Sequence, residues 1–272
     1  PLRRTWMVAL PLAFSSASFL IYAHTDRLML GIFHPEAVVG QFAVARNVID
    51  AALFPVVALT WSLRPALVRA RRDATGATTA AVLADGLRLS LVYAVVGAAL
   101  LGLLGPGLLR GIYGAQFEPA GALLVWMVPL LAVRGLGTVI FPALVAADEQ
   151  ARYARLMGWT AAVNAVSNLV LIPRLAAEGA VISTVLALFV LSLGGFRDVS
   201  RVAGAIPWRA LGGPALRVVA STAAVGAVLV AVDVGSRGLV EHAVAALAAT
   251  VVLLWINVGS PRRGLRIGPD DA

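Results

Sequence analysis

Ile21–Pro55, IYAHTDRLMLGIFHPEAVVGQFAVARNVIDAALFP, holds two long apolar segments that meet at a short break, His34-Pro35-Glu36. Asp26 and Arg27 precede the break, and Arg46 and Asp50 follow it. If the two segments are antiparallel helices, both charge clusters lie roughly 13–20 Å from the turn at 1.5 Å per residue. Charges that deep in a hydrophobic helix pair are costly and call for a functional explanation. The expectation is that they face the inside of a transport protein.

The rest of the chain supports a membrane setting. It is 60% hydrophobic and 13% charged, with a mean hydropathy of +0.89, whereas soluble domains average about 25% charged residues. Apolar runs near the ~20 residues needed to span a bilayer fall at 5–33, 37–67, 78–110, 119–146, 153–173, 179–200, 215–234 and 239–258. The reading is an all-α polytopic membrane protein of about eight transmembrane helices. All 22 basic residues are arginine, and cysteine is absent, so neither a disulfide framework nor a thiolate metal site is available.

Arginine placement tests the span count. One set of connections carries Arg3 and Arg4; Arg64, Arg69, Arg71 and Arg72; Arg152 and Arg155; Arg197, Arg201, Arg209 and Arg217; and Arg262, Arg263 and Arg266. The alternate connections carry only Arg110, Arg174 and Arg237. This bias places the arginine-rich side in the cytoplasm, so both termini are expected there, in the plasma membrane. The net charge of +8 is thus a membrane pattern, and no nucleic-acid partner is expected. Pro11, Pro55, Pro129 and Pro142 lie inside spans and favour kinks, either as static packing features or as hinges. Gly135 and Gly137 flank Arg134, where small residues let a neighbouring backbone approach. A Pro- and Gly-rich linker at 204–214 separates a six-helix unit (1–203) from a final pair of helices (215–258) and a cytoplasmic tail (259–272). The final pair, mostly Ala, Val and Leu, reads as peripheral and lipid-facing.

The sequence shows no enzyme constellation. It has no HExxH, no Walker A loop and no GxSxG elbow, and His24, His34 and His242 are dispersed. Neither a cofactor nor a metal is expected, nor is an ATP-driven step within this chain. The intramembrane polar residues are therefore the candidates. Arg46 and Asp50, four apart, share a helix face. Arg134 lies near the middle of its span with no acidic residue within a turn, so water, a partner or an anion must meet it. Asn164, Ser167 and Asn168 share one side of the fifth span. Two readings stay open for several of these. Asp26, Arg27, Arg46 and Asp50 sum to zero and could be structural ion pairs, and Asn164 and Asn168 could simply bond across helices. The slight excess of arginine around Arg134 suits an anion such as a phosphate or diphosphate, which guanidinium binds in bidentate fashion.

Short motifs add a resemblance. Asp26-Arg27-Leu28-Met29-Leu30-Gly31 and Pro35-Glu36-Ala37-Val38-Val39-Gly40-Gln41-Phe42 resemble a D-x-hydrophobic-G…E-x-V-G-x-Y pattern of oligosaccharide flippases. These form the polysaccharide-export branch of the multidrug/oligosaccharidyl-lipid/polysaccharide (MOP) exporter superfamily. Tyr113-Gly114-Ala115-Gln116-Phe117 is similar to a loop of that family. Leu171-Ile172-Pro173-Arg174 with Gly179-Ala180-Val181-Ile182-Ser183-Thr184 is similar to its L-I-P-x…G-A-A-I-A-T segment. Phe42 stands where the family usually has tyrosine, and Val181 replaces a small residue. The resemblance covers roughly 5–200 and implies the six-helix C-terminal lobe of a MATE/MOP-like flippase plus two extra helices. It also implies a missing N-terminal lobe or a partner subunit, because the family carries two lobes.

By that resemblance the substrate is a polyprenyl-diphosphate-linked oligosaccharide, a precursor of a cell-surface glycan, moved from the inner to the outer leaflet by alternating access. Arg134, Arg27 and Arg46 would meet diphosphate or acidic sugars, and Asn164 and Asn168 would bond sugar hydroxyls. Asp26 and Asp50 would be ion-coupling residues, for H+ or Na+, or structural ion pairs. The implied partners are thus the lipid-linked substrate, membrane lipids, the other lobe or a partner subunit, and H+ or Na+. Two alternatives remain: a cation-coupled drug or metabolite antiporter of the same superfamily, and a non-transporting scaffold for glycan-synthesis enzymes.

Overall fold

A computed structural model describes residues 2–72 and 76–203. Among them every regular element is a helix: α1 (Leu2–Phe33), α2 (Glu36–Arg72), α3 (Gly76–Tyr113), α4 (Glu118–Gly137), α5 (Ile140–Ala146) and α6 (Gln150–Ala203), with a 3-10 turn at Ala115–Phe117.

The breaks have local causes. Pro35 stops α1, and Glu36 opens α2 with a carboxylate in the first turn, where the helix dipole favours it. Past Tyr113 the chain turns at Gly114, φ 88° and ψ 173°, a positive-φ conformation that glycine adopts without a Cβ penalty. Pro119 then sits in the first turn of α4, where its missing N–H is not needed. The expected fourth span, 119–146, is divided after Gly137, because Pro142 removes the donor that the Thr138 carbonyl would otherwise accept.

α6 is the longest of these elements, and its break falls between the expected spans 153–173 and 179–200. Its 54 residues would reach about 81 Å as one rod, more than twice a hydrocarbon core of about 30 Å. Ala176 breaks it with φ 48° and ψ −127°, and the two arms fold back on each other. Leu156 packs where a Cβ on Gly194 would sit, and the Leu171 carbonyl lies where a Cβ on Gly179 would sit. Gly179 is thus required by close approach, since that Cβ would lie 2.5 Å from the Leu171 oxygen.

Of the eight expected spans, the first six correspond to these helices, the fifth and sixth being the two arms of α6. Four stretches among the described residues are long and apolar enough to cross a membrane: Glu36–Ala70, Thr79–Tyr113, Ala115–Ala146 and Gln150–Val202. The expected linker at 204–214, helices at 215–234 and 239–258, and tail at 259–272 lie outside the described residues.

The packing also revises the opening hairpin. α1 lies mainly along α6, whereas α2 packs on α3 and α4 and touches α1 little. Splaying α1 from α2 opens space between them. Small residues knit α3 to α4, as a Cβ on Gly135 would come within 3.3 Å of the Ala94 Cβ and one on Gly121 within 3.0 Å of the Pro106 Cα. Two apolar cores result. One gathers Leu30, Phe42, Ile49, Leu124 and Ile172, and the other Leu67, Leu83, Leu87, Ile140 and Leu144, with Leu191 packed against both. The outside is apolar too, with Leu28, Ile32, Trp61, Trp126 and Trp159 among the most exposed side chains, while Asp26, Arg46, Asn164 and Asn168 are buried. That inversion is what a lipid surroundings favours.

Candidate functional site

Asp26, 1% exposed, is the centre of the buried polar set. Its Oδ1 accepts from Asn168 Nδ2 at 2.5 Å, and its Oδ2 accepts from the Thr184 hydroxyl at 3.0 Å and from Arg46 Nη1 at 3.4 Å. Asn168 Nδ2 also donates to Asn164 Oδ1 at 3.1 Å. Residues 168 and 184 are equally spaced from the break at Ala176, so the α6 hairpin delivers one donor from each arm to the same carboxylate. A buried carboxylate is tolerable only with such compensation. Asn164 Nδ2, Asn168 Oδ1 and the Tyr22 hydroxyl are buried without a hydrogen-bond partner.

Arg46 turns from this pocket toward open space. Its Nε lies 3.4 Å from Asp50 Oδ1, one turn on along α2. The same Asp50 oxygen accepts a hydrogen bond from Arg134 Nη1 on α4. Asp26, Arg46, Asp50 and Arg134 therefore form a row of alternating charge across α1, α2 and α4. Arg27 Nη2 donates to Asn47 Oδ1 at 2.8 Å, a neutral partner that leaves its charge unneutralised.

Beside the row lies a cavity of about 400 Å³, whose lining includes the polar His24, Arg27, Arg46, Asp50 and Arg134 and the apolar Phe19, Leu53, Val57, Phe141 and Leu188. From the starts of their helices, Asp50 is about 21 Å along α2 and Arg134 about 24 Å along α4 at 1.5 Å per residue, the latter in the last turn before the α4–α5 break. Three guanidiniums face one carboxylate on this wall, with Asp26 behind Arg46 offsetting a second charge. The cavity keeps a positive excess. It can hold an anion with an apolar neighbour.

The sequence-predicted residues divide into two groups. Arg27, Arg46, Asp50 and Arg134 line the cavity, while Asp26, Asn164 and Asn168 are buried behind it. Arg134 finds its partner on another helix, which its own span could not reveal. Thr184, given no role from sequence, binds Asp26; the expected turn between spans 153–173 and 179–200 already placed it opposite Asn168 on the neighbouring span. Among the described residues, no group of three or more His, Cys, Asp or Glu comes together.

No protein-family model and no curated protein matches the sequence. Solved structures do match. The chain superposes on a lipid II flippase MurJ in an inward closed conformation with a TM-score of 0.74 at 12% identity, covering 91% of this chain and 52% of that one. The fold is that of MOP-superfamily transporters. A MOP superfamily transporter from Pyrococcus furiosus matches with a TM-score of 0.62 at 20% identity, over 80% of this chain and 51% of that one. An outward-facing multidrug resistance MATE family transporter of the superfamily matches with a TM-score of 0.63 at 18% identity, over 93% and 63%. The chain spans about half the length of the first two.

Proposed function

We propose that this chain is one lobe of a flippase that moves a polyprenyl-diphosphate-linked oligosaccharide from the inner to the outer leaflet of the plasma membrane by alternating access. The observation that carries the reading is the cavity wall, where Arg27, Arg46 and Arg134 face Asp50 alone. Guanidiniums lining a cavity suit a phosphate-bearing headgroup, and the apolar residues of the same lining suit a lipid-linked ligand. Arg134 and Arg27 are the direct contacts, and Arg46 joins them from its anchor on Asp26. Asn168 holds Asp26 and is itself braced by Asn164. Both termini lie in the cytoplasm on the arginine pattern, and the facing half of the path comes from another lobe or subunit. The test is lipid-linked glycan in cells whose only copy carries Arg134→Ala. The precursor should accumulate on the cytoplasmic side, and normal export would sink the assignment.

A second reading has its own support. Asp26 sits among the Thr184 hydroxyl and two asparagine amides, surroundings that could bind H+ or Na+ in an antiporter. Cationic dye efflux driven by either gradient, with unchanged glycan export, would favour it.

A further inference from the structure

Asp50 differs from a structural counter-ion in three ways. It is the only carboxylate on the cavity wall among the described residues. Its side chain is 42% exposed, against 19% for Arg134 and 5% for Arg46. Both of its arginine contacts fall on one oxygen, Oδ1, so neither pair is the bidentate fork that makes Arg–carboxylate pairs strongest and most specific.

These features describe an anion that is held where another anion would fit better. We propose that Asp50 is an internal stand-in for the substrate's phosphate, occupying Arg134 and Arg46 while the cavity is empty and displaced from Arg134 when a diphosphate arrives. The inference rests on the flippase reading and gives that site a regulatory step. To a guanidinium, carboxylate and phosphate oxygens are equivalent acceptors. A diphosphate brings more charge and can fork onto Arg134 while also reaching Arg27, whose charge Asn47 does not neutralise. Its charge also repels the half-exposed Asp50. Exchange is therefore favoured only by ligands of high negative charge, so neutral or singly charged lipids leave the pair closed.

Displacement has a mechanical consequence. Asp50 belongs to α2 and Arg134 to α4, so exchange severs the ion pair that joins these helices within the cavity. Arg134 lies one turn before the interruption between α4 and α5, and the Thr138 N–H bonds to the Arg134 carbonyl. Occupancy thus releases α4 next to its natural joint. By linkage, whatever weakens the Asp50–Arg134 pair must raise diphosphate affinity by the same coupling.

The sign of one measurement decides the matter. The full chain in nanodiscs of zwitterionic lipid is titrated with farnesyl diphosphate and, separately, with inorganic pyrophosphate. Asp50→Asn should bind about tenfold more tightly than the unaltered chain, a change of about 1.4 kcal/mol. Asp50→Glu should stay near the unaltered value, and adding Arg134→Gln to Asp50→Asn should remove the gain. Asp50→Ser serves as a second charge-removing variant should the Asn protein misfold. A gain with both probes supports exchange by a diphosphate alone, and a gain with farnesyl diphosphate only supports exchange by a lipid-linked diphosphate. Equal or weaker binding by Asp50→Asn and Asp50→Ser, with the unaltered chain still binding, overturns the stand-in role: Asp50 would then position the arginines, and the flippase reading would stand. Absence of binding by every protein overturns both.

Discussion

Asp26 and Asp50 flank the same arginine and are held in opposite ways. Asp26 is 1% exposed and takes donors from α2 and from both arms of α6. Asp50 is half-open to a cavity and takes two arginines on one oxygen. The difference separates architecture from chemistry. A carboxylate with three donors from three chain segments is a fastening, and a carboxylate shared between two arginines at a cavity wall is exchangeable. Arg46 couples the two, so the open side is positioned by the closed one.

The contrast is broken or upheld most clearly by truncating each acid. Asp26→Ala leaves the buried Arg46 with only Asp50, which it shares with Arg134, and deprives Asn168 and Thr184 of an acceptor. Breaking a buried pair in this way costs about 3–5 kcal/mol. Asp50→Ala, at a partly exposed pair, should cost about 1 kcal/mol or less. Denaturant-induced unfolding of the two variants in detergent measures both. Equal losses would erase the distinction.

A smaller effect should come from the α6 turn, which delivers two of the Asp26 donors. Gly179→Ala drives a Cβ against the Leu171 carbonyl, backbone that cannot swing away as a side chain could. The overpacking should destabilise by about 1–3 kcal/mol. It should also loosen the hairpin enough to misplace Asn168 or Thr184. Combined with Asp26→Ala, the loss should then be less than additive, because both changes spend the same contacts. Full additivity, measured in the same unfolding assay, would mean that the turn and the Asp26 pocket are independent.

The residue pattern made much of this legible. Run lengths and arginine placement marked the helices as far as the second arm of α6, and depth alone singled out Arg27, Arg46, Asp50 and Arg134. What stayed hidden was pairing between helices. Hydropathy says how long α1 and α2 are, not that α1 lies on α6 while α2 lies on α3 and α4. Arg134 therefore showed no acid in its own span, and which of water, a partner or an anion meets it was not legible; Asp50 on α2 is the partner. The quoted motifs pointed elsewhere again: Gln41 reaches the Gln116 carbonyl, and Ile172 offers its carbonyl to His34, just before the Pro35–Phe42 motif, so part of the resemblance records how one end of the bundle is closed. Two of its residues, Asp26 and Thr184, reach the buried pocket.

Arg27 is where the comparison can be sharpened with the least disturbance to the fold. It neighbours Asp26 in sequence yet behaves as a member of the open side, bonded to Asn47 and lining the cavity. Gln can still donate to Asn47, so Arg27→Gln should cost no more than the roughly 1 kcal/mol of one hydrogen bond, well short of Asp26→Ala. Binding should respond instead. Removing a guanidinium that meets phosphate should weaken farnesyl diphosphate by severalfold, and more at low salt than at high, because screening already weakens the lost attraction. A stability loss as large as that of Asp26→Ala, with affinity unchanged, would place Arg27 among the fastenings. The boundary between architecture and chemistry would then run between Arg27 and Arg46 rather than between Asp26 and Arg27.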